Sequence, residues 1–196
     1  MAKVSIGPSN NYCPQTLFLY GTYSDDGKPN FGMFSWVSYY WDNEANSLGV
    51  MAAICEDKRT RDNIRKNGMF SMGLVTEDML PLADYFGVKS GYDADKMNIA
   101  VEIEAGKYLE VPVLSMCPWT FELEVKRTFQ DGNGADIYLC KIRNVLADEA
   151  LCDEDIPYDE KLNRIRPVRT VVGSTYFAWD GRPLGKWGEP CKSITM

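Results

Sequence analysis

The sequence predicts a mainly β protein, an antiparallel barrel with a few short helices. Two observations predict it. Short runs of aromatic and β-branched residues recur at close spacing along the 196 residues. Several of these runs are joined by hairpin turns, which favours an antiparallel barrel over a βαβ arrangement. Six or seven strands are expected in total.

Taken in order, residues 1–15 read as an irregular arm, because Pro8, Pro14 and the Asn10-Asn11 pair interrupt regular structure. Leu17 to Tyr23 is a first strand, and Asp25-Asp26-Gly27-Lys28 is a turn whose Asp-Gly supplies the positive φ of a hairpin. Pro29 to Val37 is the returning strand. Ser47 to Ile54 is continuously apolar, so it is expected to be a strand buried on both faces. Thr60 is expected to cap a short helix, with Asn63 at the capping-box position and Gly68 ending it. Met69 to Val75 is a strand, and Thr76-Glu77-Asp78-Met79 opens a second short helix that runs to Gly87.

Gly91 to Asn98 is a polar loop, and Ala100 to Leu109 is a connection. Trp119 to Thr128 alternates, with Phe121, Leu123 and Val125 on one face and Glu122, Glu124 and Lys126 on a solvated one. Asp131-Gly132-Asn133-Gly134 is a hairpin loop and Asp136 to Leu146 its return strand. Asp148 to Glu160 is acidic and turn-rich with a weak helical pattern. Arg166 to Tyr176 is one last strand, followed from Trp179 by a tail punctuated by glycine and proline. One domain over 1–196 is expected, with the arm at 1–15 and the tail at 179–196.

Composition narrows the function. The formal net charge of −7 argues against non-specific nucleic-acid binding, which needs a basic surface. The longest apolar run, Leu48 to Cys55, is far short of a membrane span. Met1-Ala2-Lys3 leads into a polar segment without the apolar core of an export signal, so a cytoplasmic location is expected. The six cysteines show no CxxC pair and read as reduced thiols, Cys55 as a buried small hydrophobe. No metal is expected. The chain has no histidine, which removes zinc sites of the usual kind and every imidazole-based nucleophile arrangement.

Residues 31–63 hold the candidate site. Ser35 and Ser38 close a strand end, where a turn points both hydroxyls at one oxyanion or is an ordinary polar turn. Lys58, Arg59 and Arg61 flank a helix N-terminus, as phosphate donors or as a solvated face. The strand between the two segments brings their ends to neighbouring positions. Trp36, Tyr39, Tyr40 and Trp41 supply either a ring-stacking wall or core and interface. A ligand with a phosphate at one end and an aromatic ring at the other matches both features.

Gly21 to Gly87 resembles the flavin reductase-like, FMN-binding split-barrel family, particularly its flavoredoxin branch. The resemblance is carried by the DGKPN hairpin, the Ser35-Trp36-Val37-Ser38 turn, the KRTRDNI segment and the strand that leads to Leu82-Ala83-Asp84-Tyr85-Phe86-Gly87. The closing GSTYFAWDGRPLGKWGE is similar as well. The resemblance implies a six-stranded antiparallel split barrel, working as a homodimer with FMN at the subunit interface. Ser35, Trp36, Val37 and Ser38 would line the ring and ribityl chain, and Lys58, Arg59, Thr60 and Asn63 would fall near the phosphate. Tyr85 and Phe86 would approach the ring or the facing subunit. Some relatives place a histidine near the flavin; that role is vacant here, and no catalytic residue is assigned. The implied activity is reduction of FMN by NAD(P)H and electron transfer to free flavin or a protein acceptor. A non-catalytic FMN electron carrier and a cofactor-free dimeric scaffold are the alternatives.

Overall fold

The computed structural model describes residues 2–55, 57–130, 134–171 and 175–194. In chain order the strands and helices are β1 (Gln15–Thr16), β2 (Phe18–Tyr23), β3 (Pro29–Phe34), β4 (Val37–Asp42), β5 (Ser47–Ile54), α1 (Arg59–Asn67), β6 (Met69–Leu74), α2 (Leu80–Val88) and β7 (Ile103–Ala105). There follow β8 (Pro112–Leu114), β9 (Trp119–Gln130), β10 (Asp136–Ala147), α3 (Glu149–Cys152), α4 (Tyr158–Ile165), β11 (Arg169–Val171), β12 (Thr175–Phe177) and β13 (Pro183–Lys186), then a 3₁₀ turn over Pro190–Ser193.

The main sheet has seven strands in the order β3-β2-β6-β9-β10-β5-β4, in place of the six expected. Every neighbouring pair in it is antiparallel. Its two edge strands, β3 and β4, follow one another in the chain through Ser35-Trp36 and do not pair with each other among the described residues, so the sheet is not closed. Alternation explains how it curls. Phe18 and Tyr20, Phe70 and Met72, Phe121 and Leu123, Tyr138 and Cys140, and Val50, Ala52 and Ile54 all meet in one core cluster. Phe34 of one edge and Val37 of the other pack against that same cluster. Burying a side chain such as Phe70 or Met72 contributes roughly 1.5–3 kcal/mol each. A second cluster joins Leu19 and Phe31 on the other face to α2, Val168 and Tyr176.

The first hairpin follows expectation, with Tyr23 paired to Pro29 and Gly27 at φ +74°. Other expectations are corrected. β5 is paired on both edges but meets the core with one face only: Val50, Ala52 and Ile54 are buried while Met51 is 40% exposed. Lys58, not Thr60, holds the N-cap position of α1, since Thr60 is already helical. Gly68 does end that helix in the left-handed conformation, donating to the Ile64 carbonyl. Residues 100–109 contribute a strand, β7, which pairs with β8. Glu122 does point away from Phe121 and Leu123, yet it is buried, because the turn before Leu109 folds over it. Its carboxylate accepts the backbone N–H groups of Lys107, Tyr108 and Leu109 at 2.9, 2.8 and 2.5 Å.

The expected strand 166–176 is corrected: its described residues fall in two strands, β11 and β12, that pair with each other, and residues 172–174 lie outside the described residues. The tail adds β13 beside β12, and β1 at the end of the N-terminal arm completes this four-stranded sheet. The chain's end is pinned by Asp84 of α2. That buried carboxylate accepts the Tyr176 hydroxyl at 2.7 Å, the Gly188 N–H at 2.9 Å and the Cys191 N–H at 3.0 Å. The Asp131-Gly132-Asn133 part of the expected β9–β10 loop lies outside the described residues. No helix among the described residues is long and apolar enough to cross a membrane.

Candidate functional site

α1 packs across the end of the curled sheet because one of its faces carries short polar groups that hydrogen-bond to β2, β3 and the loop between them. Asn63 donates to the Thr22 hydroxyl at 2.9 Å, Asn30 donates to the Thr60 hydroxyl at 2.8 Å, and the Arg59 Nε donates to the Ser24 hydroxyl at 3.1 Å. Ile64 fills the core beneath. At the other end of the helix Arg65 grips the buried Asp136 with two hydrogen bonds of 2.6 and 2.8 Å. The Arg65 guanidinium, helped by the Tyr138 hydroxyl, holds the Asp136 carboxyl below the usual range against the opposing effect of burial. These contacts fix where the N-terminus of α1 points.

It points into a small cavity of about 110 Å³. Among the described residues no side chain caps the helix, so the first-turn N–H groups are left to the cavity. Asp57, at φ +56°, makes the left-handed step just before the helix that turns the chain into this cap. Among the described residues Lys58, Arg59, Lys89 and Lys96 all line the cavity, against a single carboxylate from Asp57. Lys89 is neutralised by Asp95 at 3.1 Å. Lys96 is buried, and its ammonium donates to the Phe86 carbonyl at 2.9 Å and sits 5.8 Å from the Phe86 ring centre. Burial, reinforced by the nearby Lys58 charge, pushes its amine down to about 8. Burial pushes the Tyr20 phenol on the cavity wall upward, with the Thr60 hydroxyl opposing it. An uncapped helix end with excess cations is a receptor for a small anion.

The predicted residues divide into three groups. Lys58, Arg59, Thr60 and Phe86 come together on this cavity. Asn63 and Tyr85 stand behind it: Asn63 is hydrogen-bonded into β2, and the Tyr85 hydroxyl donates to the Lys96 carbonyl at 2.9 Å, tying down the loop that carries the lysine. Ser35, Trp36, Val37 and Ser38 lie beside the cavity, not in its wall. They are nonetheless sheet neighbours of the segment entering α1, since Val37 is registered with Ala52 and the Ala53 N–H donates to the Trp36 carbonyl at 2.9 Å. Ser38 is on the outward side of β4 opposite Met51, so the two serine hydroxyls are not both turned to one point in the cavity. Trp36, Tyr39 and Trp41 are about half exposed, which removes the core reading for these three. Cys55 is exposed as well, because it lies past the end of β5 and its side chain leaves the core.

Lys96, Lys89 and Tyr20 were not legible as site residues. A lone lysine in a polar loop carries no signal until the fold buries it. Gly91 offered a faint one: a Cβ there would come within 2.8 Å of both Arg59 Cβ and Asn30 Oδ1, so this loop must approach α1 through a glycine. Among the described residues no group of three or more His, Cys, Asp or Glu is placed to hold a metal.

A flavoredoxin of Desulfovibrio vulgaris (Miyazaki F) has the same fold, with a TM-score of 0.77 at 24% identity over 96% of this chain and 98% of that one. A flavoredoxin from Methanosarcina acetivorans gives 0.77 at 21% identity over 100% of both chains. An FMN-binding protein from Thermus thermophilus, solved with bound 1-cyclohex-2-enone, gives 0.69 at 19% identity over 91% and 93%. No curated protein matches the chain in sequence. The flavin reductase like domain matches residues 10–163, and the chain therefore belongs to that family.

Proposed function

We propose that the protein is an FMN-dependent oxidoreductase that takes electrons from NAD(P)H and passes them to free flavin or a redox protein. The observation that carries this reading is the uncapped N-terminus of α1 opening on a cavity lined by Lys58, Arg59 and Lys96. The donor set fits a phosphate monoester, which is dianionic near neutral pH. Arg59 and Lys58 would bind it, Thr60 and Asn63 would hold the helix in place, and Lys96 would supply a buried positive charge.

The cavity is well below the roughly 300–1,000 Å³ of sites that enclose a whole cofactor-sized ligand. A three-ring heterocycle attached to the phosphate would therefore extend over the β3–β4 link, where Ser35, Trp36, Val37 and Ser38 would line it. Trp36, Met51, Ile137 and Phe129 leave apolar surface open in this region and on the outward side of β5, β10 and β9. A second copy of the chain covering that side, and with it the ring, completes the split barrel as a homodimer.

FMN, when bound, accepts hydride at its own ring, so the chain needs to supply only binding, orientation and exclusion of water. That division of labour suits a sequence without histidine. The test is NAD(P)H oxidation by FMN-loaded protein in the absence of oxygen, with and without free flavin or a redox-protein acceptor. Multiple turnovers support the oxidoreductase. Stoichiometric reduction that stops there supports the electron carrier, and protein that stays colourless after incubation with FMN contradicts both.

A further inference from the structure

We infer that a second cavity, walled by the ends of β2, β6 and β9 and by α4, binds a planar aromatic carboxylate. It is about 460 Å³, within the range that encloses small organic ligands, and is lined by different residues from the α1 cavity. Its floor is aromatic. Phe18 and Phe121 come from the core cluster, Trp119 stands edge-on to Phe121 at 6.3 Å between ring centres, and Tyr39 lies 6.2 Å from Phe121. Trp179 forms part of the rim and is held by Arg169, whose guanidinium stacks 5.1 Å from its ring. Flat faces set at such angles favour a flat apolar guest.

The remaining wall is α4. Tyr158, Leu162 and Ile165 recur at helical spacing and all face the cavity, yet no residue of α4 is buried. An eight-residue helix is marginal by itself and takes its stability from packing its apolar stripe. Here the stripe faces an open cavity, so a guest between it and the aromatic floor would complete the packing. Lys161 lines the same cavity one position before Leu162 and forms no ion pair among the described residues. A single cation on a wall that is otherwise mostly aromatic and aliphatic selects a single negative charge on the guest. The inference stands apart from the flavin reading, because none of the residues assigned to FMN lines this cavity.

The test is calorimetric titration of the full chain, as purified, with 2-naphthoate and with the neutral 2-naphthalenemethanol. Saturable binding of 2-naphthoate is expected, weakened about tenfold or more by Lys161→Met, as for loss of a charged hydrogen bond. Lys161→Arg should restore it, and 2-naphthalenemethanol should bind both variants alike. Flavin content should be the same in wild type and Lys161→Met. No heat with 2-naphthoate at millimolar concentration, or equal affinity in wild type and Lys161→Met, overturns the inference. Naphthoate binding of the expected pattern by a protein that takes up no FMN would sustain this site while refuting the flavin one.

Discussion

Lys96 makes the affinity for FMN depend on pH in a way that can be calculated. Burial places its amine at about 8 in the ligand-free protein, below the ordinary lysine value. A bound phosphate favours the charged ammonium, so binding takes up a proton and affinity must fall as pH rises through that value. Between pH 7 and pH 9 the charged fraction of free Lys96 drops from about nine tenths to about one tenth. If the bound lysine stays charged over that interval, the dissociation constant rises about tenfold, or about 1.4 kcal/mol. The phosphate's own second ionisation, near pH 6, is already about nine tenths complete at pH 7 and so changes the constant little above it. Quenching of FMN fluorescence on binding gives the constant at each pH. Lys96→Met should bind more weakly at pH 7 and show a flat profile from 7 to 9. An equally steep profile in Lys96→Met, or a flat one in the wild type, would refute the assignment of the buried charge to the phosphate.

Other perturbations follow from the same contacts. Arg59→Ala removes a cation at the α1 N-terminus and should weaken FMN binding by about 1–3 kcal/mol in the same titration. Glu122→Gln should lower the stability measured in urea by about 1–3 kcal/mol at neutral pH, since three backbone N–H groups lose a charged acceptor. Burial works to raise the Glu122 carboxyl, but the hydrogen bonds from Asn144 and those N–H groups outweigh it and hold it below the ordinary value. Its contribution is therefore present above the unfolded-state pKa and lost as pH falls through the lower folded one, so acid should close the gap between wild type and variant. Asp84→Ala unlatches Gly188 and Cys191 and should speed tryptic cleavage at Lys186 and Lys192 while the rest of the chain stays resistant.

Local signals carried much of the architecture. The Asp26-Gly27 turn, the Gly68 helix stop and the Ser47–Ile54 strand all depend on residues close in sequence, and all were legible. What could not be read required knowing which strands pair. Ser47–Ile54 reads as doubly buried because its apolar run is continuous, and only the sheet order shows that Met51 faces outward. Arg166–Tyr176 reads as one strand, and neither its division into β11 and β12 nor the short β13, bordered by glycine and proline, is legible, because these strands hold together through one another. The site divides along the same line. Lys58, Arg59 and Thr60 stand next to one another and were found together. Lys96 reaches the same cavity from a loop more than thirty positions away, carried there by packing that no local pattern records.

Comparison of FMN with riboflavin as ligands tests the central claim most directly, because the two differ only in the phosphate that the α1 cavity is proposed to hold. At pH 7 FMN should bind about a hundredfold tighter or more, the worth of about two charge-assisted hydrogen bonds. Equal affinity for the two flavins would contradict it.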